Sequence, residues 1–155
     1  MASAEPDVGA LPRQTLESLL MASSRGLRRA YDIRLAGLGV RISEAYLLAH
    51  VHDQGPMTQT QLAEGLGLGR AATGALVDAL ERKGLVERSP DAGDRRVWLV
   101  VSTASAAPVV DEIHVVGAAL RDQAWNGISR AERRALSDTL QRLQDNLAAI
   151  TNDRT

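Results

Sequence analysis

The chain has no cysteine, no phenylalanine and few aromatic residues of any kind, which make up 3% of its 155 residues. Without cysteine it can form no disulfide, no thiolate metal site and no thiol-based redox switch. Its core must be built from aliphatic side chains, which is feasible because apolar residues account for 45% of the sequence. Length and composition together predict one globular domain.

Long apolar runs are also absent, since no segment reaches the ~18 consecutive apolar residues that a membrane-spanning helix needs. The first residues, MASAEPDVGALPRQ, lack the charged start and apolar stretch of a secretory signal. We therefore expect a cytoplasmic protein with no membrane partner. Residues 1–10 are small, acidic and contain Pro and Gly, and we predict that they form a disordered N-terminus.

A basic balance of charge, common in proteins that bind nucleic acids, is missing as well, because the net charge is −1. The arginines are nevertheless unevenly placed: six lie from Arg13 to Arg41, against only Glu17 and Asp32. From Glu64 to Arg96 the two signs balance. Overall charge therefore does not indicate DNA, and the position of individual arginines has to decide.

The N-terminal half of the chain predicts two helices. Apolar side chains recur at helical spacing from Thr15 to Leu35, and Gly37 and Gly39 then end the first helix. Ser43 is the predicted N-cap of the second helix, and the sequence QGP at 54–56 ends it.

Two further helices and a hairpin follow. Thr58 or Thr60 can cap a short third helix, the sequence GLGLG at 65–69 predicts a turn, and a fourth helix is predicted over 70–83. The sequences LVER and VWLVV predict two short strands on either side of the turn-forming stretch SPDAGDRR.

The C-terminal part is again helical. Pro108 falls in the first turn of one helix, where a missing N–H costs little. A capping box from Ser129 to Glu132 opens the last helix. Apolar side chains spaced by three or four run along that helix: Leu136, Leu140, Leu143, Leu147 and Ile150.

This order of elements is that of a winged helix-turn-helix. The predicted fold class is mainly α with a small β-hairpin wing and with N- and C-terminal dimerisation helices. We assign the winged helix-turn-helix lobe to residues 43–103 and the helical dimerisation region to residues 11–42 and 104–155. The apolar faces left over on the terminal helices predict a homodimer.

The segment Gly55–Thr103 resembles the MarR family of bacterial transcriptional regulators, most clearly in LVDALERKGLVER and DRRVWLVVST. The resemblance implies a dimer of winged lobes joined by terminal helices. It also implies a regulator, usually a repressor, that binds a pseudo-palindromic operator in double-stranded DNA. Many family members are released by a small phenolic or other aromatic effector, which we expect here too.

The tip of the hairpin is the first expected DNA contact. A thin tip can follow the minor groove, which is about 6 Å wide and attracts arginine by its negative potential. The resemblance makes Arg95 the groove or phosphate contact, flanked by Asp94 and Arg96. It also implies that the predicted fourth helix is the recognition helix. Arg96 would pair with Asp78 on that helix, as a buttress for the wing. Trp98 is predicted to anchor the wing strand.

The recognition helix is the second expected contact, and it would enter the major groove with its N-terminus first. Its chemistry lets Arg70 reach a guanine edge or a phosphate, Ala71 touch a thymine methyl, and Thr73 touch a base. Backbone N–H groups at the start of the third helix can hold phosphates. The residues expected at DNA on these two helices are Thr58, Gln61, Arg70, Ala71, Thr73 and Gly74.

Three positions depart from the family pattern. A Ser or Thr is usual in place of Gly69, and polar or basic residues are common in place of Gly74 and Ala75. The face that reads the bases is therefore short of donors. We expect more shape and phosphate recognition than direct base recognition.

The effector pocket of the family lies between the dimerisation helices and the winged lobe. The candidates for its polar lining are Tyr31, Arg34, Tyr46 and His50, although these residues also suit core or surface positions. The histidines form no ligand pattern, so no metal site is predicted, and no cofactor is expected. No motif pairs a nucleophile with a base, so the chain is not expected to be an enzyme.

Two other functions are compatible with parts of the sequence. The donor-poor recognition helix and near-neutral charge favour a winged-helix protein-interaction module that has no DNA binding. The stretch from Gly67 to Ala72 fits G-x-G-x-x-A, as in dinucleotide-binding enzymes. That site needs an apolar strand before its first glycine, and the polar sequence MTQTQLAEG stands there instead.

Overall fold

The computed structural model describes residues 15–152, which form α-helices, one short 3-10 helix and a two-stranded antiparallel hairpin. Within that range the chain is mainly α with a β-hairpin after the fourth helix, as the sequence predicts. No helix in these residues is both long and apolar enough to cross a membrane. The elements are α1 (Leu16–Leu35), the 3-10 helix (Ala36–Leu38), α2 (Ile42–Gln54), α3 (Gln59–Leu66), α4 (Arg70–Arg82), β1 (Val86–Pro90), β2 (Trp98–Ser102), α5 (Ala106–Ala124) and α6 (Arg130–Asn152).

The chain divides into two compact units, one ending at Gly117 and the other beginning at Ala118, within α5. The first contains α1 to α4, the hairpin and the start of α5. The second contains the rest of α5 and α6. The functional division into a lobe of 43–103 and flanking dimerisation regions stays a prediction, and the predicted disordered residues 1–10 lie outside the described residues.

The core of the first unit is aliphatic, as the composition requires. Helix α4 packs against α2, α3 and β1, while α2 also packs against α1 and β2. Full burial of one such side chain stabilises the fold by roughly 1.5–3 kcal/mol. The orientation of α4 is thus set by the packing of its inner face. The fully buried aliphatic side chains are Leu35, Leu47, Leu48, Val51, Leu62, Val77, Leu80, Val86, Val100 and Val110.

The start of α2 differs from the prediction. Arg41, not Ser43, is the N-cap residue, and its N–H donates to Glu44 Oε2 at 2.8 Å. The next N–H, that of Ile42, donates to Asp32 Oδ1 of α1 at 2.8 Å. The N-cap prediction was wrong because the helix begins two residues earlier, so the Ala45 N–H that a Ser43 cap would satisfy already donates to Arg41 O at 2.8 Å.

The start and end of α3 follow local rules. Thr58 is the N-cap: its N–H donates to Gln61 Oε1 at 2.8 Å, and the Gln61 N–H donates to Thr58 Oγ1 at 3.2 Å. This is a capping box, which satisfies two donors reciprocally. Gly67 ends the helix with φ of 62°, a left-handed conformation that glycine adopts without strain. The turn therefore begins two residues later than the predicted 65–69.

A residue outside the two strands also pairs with the hairpin. β1 and β2 pair antiparallel, and the last pair before the tip joins Pro90 to Trp98. Met57, between α2 and α3, forms a bridge to Val100, whose N–H donates to Met57 O at 2.8 Å. A one-residue bridge leaves no periodicity in the sequence, so sequence analysis missed it. It ties the connection before α3 to the wing.

In the second unit, the predicted capping box at the start of α6 is confirmed. The Glu132 N–H donates to Ser129 Oγ at 3.2 Å, and the Ser129 N–H donates to Glu132 Oε2 at 2.8 Å. Hydrogen bonds from the Ser129 hydroxyl and then from its N–H lower the pKa of Glu132. Gly127, with φ of 76°, lets the chain turn sharply between α5 and α6.

Candidate nucleic-acid interface

The hairpin tip, residues 91–97, is organised by its own carboxylates. Asp91 Oδ1 accepts from the N–H groups of Gly93 at 2.7 Å and Asp94 at 2.9 Å. Asp94 Oδ1 in turn accepts from the Arg96 N–H at 3.0 Å. The Asp91 N–H donates across the loop to Val97 O at 2.9 Å. Hydrogen bonds of Asp side chains to nearby backbone are typical of defined turns, so the tip has a specific conformation.

Arg95 lies in this tip and is exposed. Within residues 15–152, no hydrogen bond or ion pair is formed by its side chain. Arg96 is 93% exposed, and its Nε lies 3.4 Å from Asp94 Oδ1, a weak contact in solvent. The tip therefore presents two guanidinium groups, of which Arg95 is the less engaged.

The predicted buttress between Asp78 and Arg96 is corrected by the structure. Asp78 Oδ1 accepts from Arg88 Nη2 at 2.5 Å, whereas Arg96 pairs with Asp94. Position along the hairpin explains the difference. Arg88 lies on β1, which packs on α4, while Arg96 lies in the tip, beyond the last strand pair at Trp98.

Arg88 holds three elements together, in a group that we call the Arg88 cluster: Arg88, Asp78, Glu81 and Gln59. Besides Asp78, Arg88 Nη1 pairs with Glu81, and the Arg88 N–H donates to Glu81 Oε1 at 3.3 Å. Arg88 Nε and Nη2 both donate to Gln59 Oε1, at 3.3 and 3.1 Å. One guanidinium thus connects β1 with α4 and with the first turn of α3.

The electrostatics of the cluster favour the charged arginine. The hydrogen bond to Asp78 raises the pKa of Arg88 most, partial burial opposes it, and the charges of Glu81 and Asp78 raise it further. One feature of the sequence could have predicted this cluster. Asp78 and Glu81 are three residues apart on α4 and therefore share a face, which an arginine on the following strand can reach.

In the N-terminal turn of α4, some residues expected at DNA are exposed and one is buried. Arg70 and Ala71 are exposed, and Gly74 is half-buried. Thr73, expected at a base, is 0% exposed, and its hydroxyl donates to Gly69 O at 3.1 Å. The expectation was wrong because Thr73 lies on the inner face of α4, four residues before the buried Val77.

At the start of α3 the expected residues are partly engaged. The Thr58 hydroxyl accepts from the Gln61 N–H and donates to Gln61 Oε1 at 3.0 Å. Its side chain is therefore committed to the cap. The Gln61 side chain is exposed, and the capping box uses its carbonyl and not its NH₂ group.

A second ion pair, missed by the sequence analysis, joins the end of α4 to α2. Lys83 Nζ donates to Glu44 Oε1 at 2.7 Å, to Oε2 at 2.8 Å and to Gly39 O at 2.7 Å. Burial raises the pKa of Glu44. The Lys83 hydrogen bond, the Arg41 N–H and the charges of both residues outweigh it, so the pKa lies below its ordinary value. This contact fixes the C-terminal end of the recognition helix.

Four residues were expected to line an effector pocket: Tyr31, Arg34, Tyr46 and His50. The rings of Tyr31 and Tyr46 lie together, with centroids 6.2 Å apart. His50 lies against α3, because a Cβ placed at Gly65 would be 3.0 Å from His50 Nε2. Arg34 is exposed on α1. The structure therefore brings the two tyrosines together and directs His50 towards the glycine of α3.

The expectation that Trp98 anchors the wing strand was wrong. Trp98 is 57% exposed, whereas Val100, two residues along the same face of β2, is 1% exposed. Trp98 lies nearer to the tip, beyond the part of the hairpin that the core covers. Val100 therefore provides the anchor instead.

Comparison with known proteins bears on the winged lobe. Residues 38–97 match the model of the MarR family, and this span contains α2, α3, α4 and the hairpin tip. Over these residues the chain is similar to the MarR family. The matched segment includes the Arg88 cluster and both tip arginines.

Solved structures agree over most of the chain. A cysteine-to-serine mutant of E. coli MarR in complex with operator DNA has a TM-score of 0.76 at 24% identity, over 83% of this chain and 92% of that one. S. aureus MepR in a DNA complex has a TM-score of 0.79 at 21% identity, over 88% of this chain and 99% of that one.

A third structure concerns regulation of DNA binding of Bordetella bronchiseptica BpsR by 6-hydroxynicotinic acid. It has a TM-score of 0.78 at 19% identity, over 88% of this chain and 98% of that one. At these identities the likeness establishes that the chain shares the fold of these proteins.

Proposed function

We propose that this chain is a homodimeric, sequence-specific DNA-binding transcriptional regulator of the MarR type. The observation that carries the proposal is the pairing of an exposed Arg95, in a hydrogen-bonded tip, with the exposed first turn of α4 in the same winged lobe. Both features match the two grooves of B-DNA, because an arginine-bearing tip suits the narrow minor groove and a helix suits the major groove. E. coli MarR and S. aureus MepR have this fold in complexes with DNA.

The homodimer is supported by apolar side chains that the single chain leaves in solvent. On α1, Leu16 is 75% and Met21 64% exposed, and on α6, Leu147 is 50% and Ile150 64% exposed. Exposed apolar groups that recur along a helix are typical of surfaces that another protein covers. A two-fold dimer would present two recognition helices about 34–36 Å apart, which suits a pseudo-palindromic operator.

The regulator is proposed to be a repressor that a small aromatic or phenolic effector releases. Support comes from the adjacent rings of Tyr31, on the expected dimerisation helix α1, and Tyr46 on α2. B. bronchiseptica BpsR offers a parallel, since its DNA binding is regulated by 6-hydroxynicotinic acid. The effector would bind with higher affinity to a dimer in which the distance between the two lobes does not match the operator, and it would thereby favour that dimer. The function proposed needs no cofactor and no catalysis, and its place is the cytoplasm.

Selection of bound fragments from random double-stranded DNA tests this function. We expect an enriched pseudo-palindrome whose half-sites are about 10–10.5 base pairs apart, centre to centre. Affinity for it should fall steeply between about 50 and 200 mM salt, because phosphate contacts release counterions. A double variant, Arg70→Ala with Arg95→Ala, is the folded control. No enrichment, and no binding to any duplex at low salt, would contradict the proposal.

A further inference from the structure

We propose that the side-chain NH₂ group of Gln59, which lies beside Gly74 of α4, donates hydrogen bonds to a base in the major groove. We propose further that this base is guanine. The inference rests on the proposed DNA-binding function. It adds a reading residue that lies on α3 and not on the recognition helix. It also gives a reason for the glycine at position 74, one of the three departures of this chain from the family pattern.

The orientation of the Gln59 amide follows from its partner. An arginine guanidinium carries only donors, so the atom that faces it must be an acceptor. Arg88 Nε and Nη2 donate to Gln59 Oε1 at 3.3 and 3.1 Å. The carbonyl is therefore held by Arg88, and the NH₂ group, with two N–H donors, must point away from Arg88.

The NH₂ group points at a gap in the recognition helix. A Cβ placed at Gly74 would lie 3.4 Å from Gln59 Nε2, at ordinary contact distance. A methyl group at position 74 would therefore touch the amide nitrogen without a clash, whereas glycine leaves that side of the amide uncovered. Glycine inside a helix costs roughly 1 kcal/mol relative to alanine. Access for the Gln59 amide is a physical reason for having glycine there.

The surface around this amide is the one expected to meet DNA. Arg70, Ala71 and Ala75 on α4 are exposed, and Gln59 and Gly74 are half-buried beside them. Neither Gly74 nor Ala75 has a side-chain donor, so α4 itself offers none at these two positions. Gln59 supplies two N–H donors at that place, from the neighbouring helix.

The occupied carbonyl determines which base is read. A glutamine with both amide atoms free pairs bidentately with adenine, donating to N7 and accepting from the N6 amino group. Here Oε1 is engaged by Arg88, so the amide can only donate. In the major groove guanine presents two adjacent acceptors, O6 and N7, and no donor. One guanine in each half-site is the expected partner.

Two variants test the inference by selection from random DNA. Gln59→Glu keeps acceptors for Arg88 and removes both N–H donors. Gly74→Ala leaves the Arg88 cluster unchanged, places a methyl group against the amide nitrogen and favours the helix. We expect the parent protein to select guanine at one symmetric position. Gln59→Glu should lose that preference, with about tenfold weaker binding to the parent site, and Gly74→Ala should weaken the same preference.

A purely structural role for Gln59 makes a different prediction. The added charge of Gln59→Glu and any change in wing angle would weaken binding to all sequences alike and leave the selected motif unchanged. That result, with a melting temperature close to the parent's, would overturn the inference while leaving the proposed function intact. If the parent selects a pseudo-palindrome and only Gln59→Glu loses one guanine, the inference stands. If the parent selects no DNA, the proposed function fails first, and this inference fails with it.

Discussion

The guanidinium of Arg88 lies 2.5 Å from the carboxylate of Asp78 and so joins the first wing strand to the recognition helix. Because the two groups belong to different elements, their pairing controls the angle at which the wing leaves the lobe. Asp78 is largely exposed, so the pair contributes modestly to stability, and its main effect is on geometry.

This relationship predicts coupling between Arg88 and Asp78. In a double-mutant cycle with Arg88→Ala and Asp78→Ala, operator binding should be non-additive by about 0.5–1 kcal/mol, because each single change already removes the same contact. The matched cycle uses Arg96→Ala with Asp78→Ala and should be additive within roughly 0.5 kcal/mol. Coupling found only in the Arg96 cycle would restore the pair expected from the family and contradict this structure.

Arg95→Ala should weaken operator binding by at least about tenfold, because the exposed guanidinium of the tip is lost from the groove or phosphate contact. The slope of log affinity against log salt should become shallower by roughly 0.9 per phosphate contact removed. The melting temperature should not change, since the exposed side chain forms no hydrogen bond or ion pair within the described residues. Arg82→Ala, an exposed arginine at the other end of α4, is the control. Equal losses for both variants would count against a specific role of the tip.

Thr73→Val should lower stability by about 1 kcal/mol and leave the selected DNA motif unchanged. The valine keeps the shape of the buried side chain but loses the hydrogen bond to Gly69 O. Chemical denaturation measures the first effect and selection from random DNA the second. An altered base preference would mean that Thr73 contacts DNA after all, as the sequence alone had indicated.

The Glu44–Lys83 pair predicts acid sensitivity. The folded state lowers the pKa of Glu44 from its ordinary value of 4.5, so the pair stabilises the fold fully above that pH. Stability is lost as pH falls through the folded pKa, because the unfolded chain then binds the proton more readily. Denaturation of the parent between about pH 6 and 3 should show this loss. Glu44→Gln should be less stable at pH 7 by about 2 kcal/mol and should lose less stability on acidification. Parallel curves for both proteins would exclude the pair as the cause.

Ile150→Asp should weaken the homodimer, because it places a charge on the exposed apolar side of α6. Sedimentation measures the dissociation constant, and operator binding should weaken with it, since one lobe then engages a half-site alone. Gln144→Asp, at an exposed polar position of the same helix, is the matched control and should leave both unchanged. An unaltered dimer in Ile150→Asp would place the interface elsewhere.

The sequence by itself determined those features whose partners are close along the chain. The helix order follows from apolar spacing. The Ser129 capping box joins residues three apart, and the Thr58 cap, left open against Thr60, follows the same local rule. A glycine in the left-handed conformation ends a helix by a local rule as well, as Gly67 does at the end of α3. The resemblance to the MarR family likewise depended on one continuous segment.

Only the tertiary structure decided the contacts between residues far apart in the chain. Which arginine meets Asp78, and which carboxylate caps α2, depended on how β1 lies on α4 and α1 on α2. The burial of Thr73 and the amide of Gln59 beside Gly74 depended on how α3 and α4 pack. Periodicity shows that a helix has an inner face, but the packing of neighbouring elements sets where that face ends and which polar side chains meet across it.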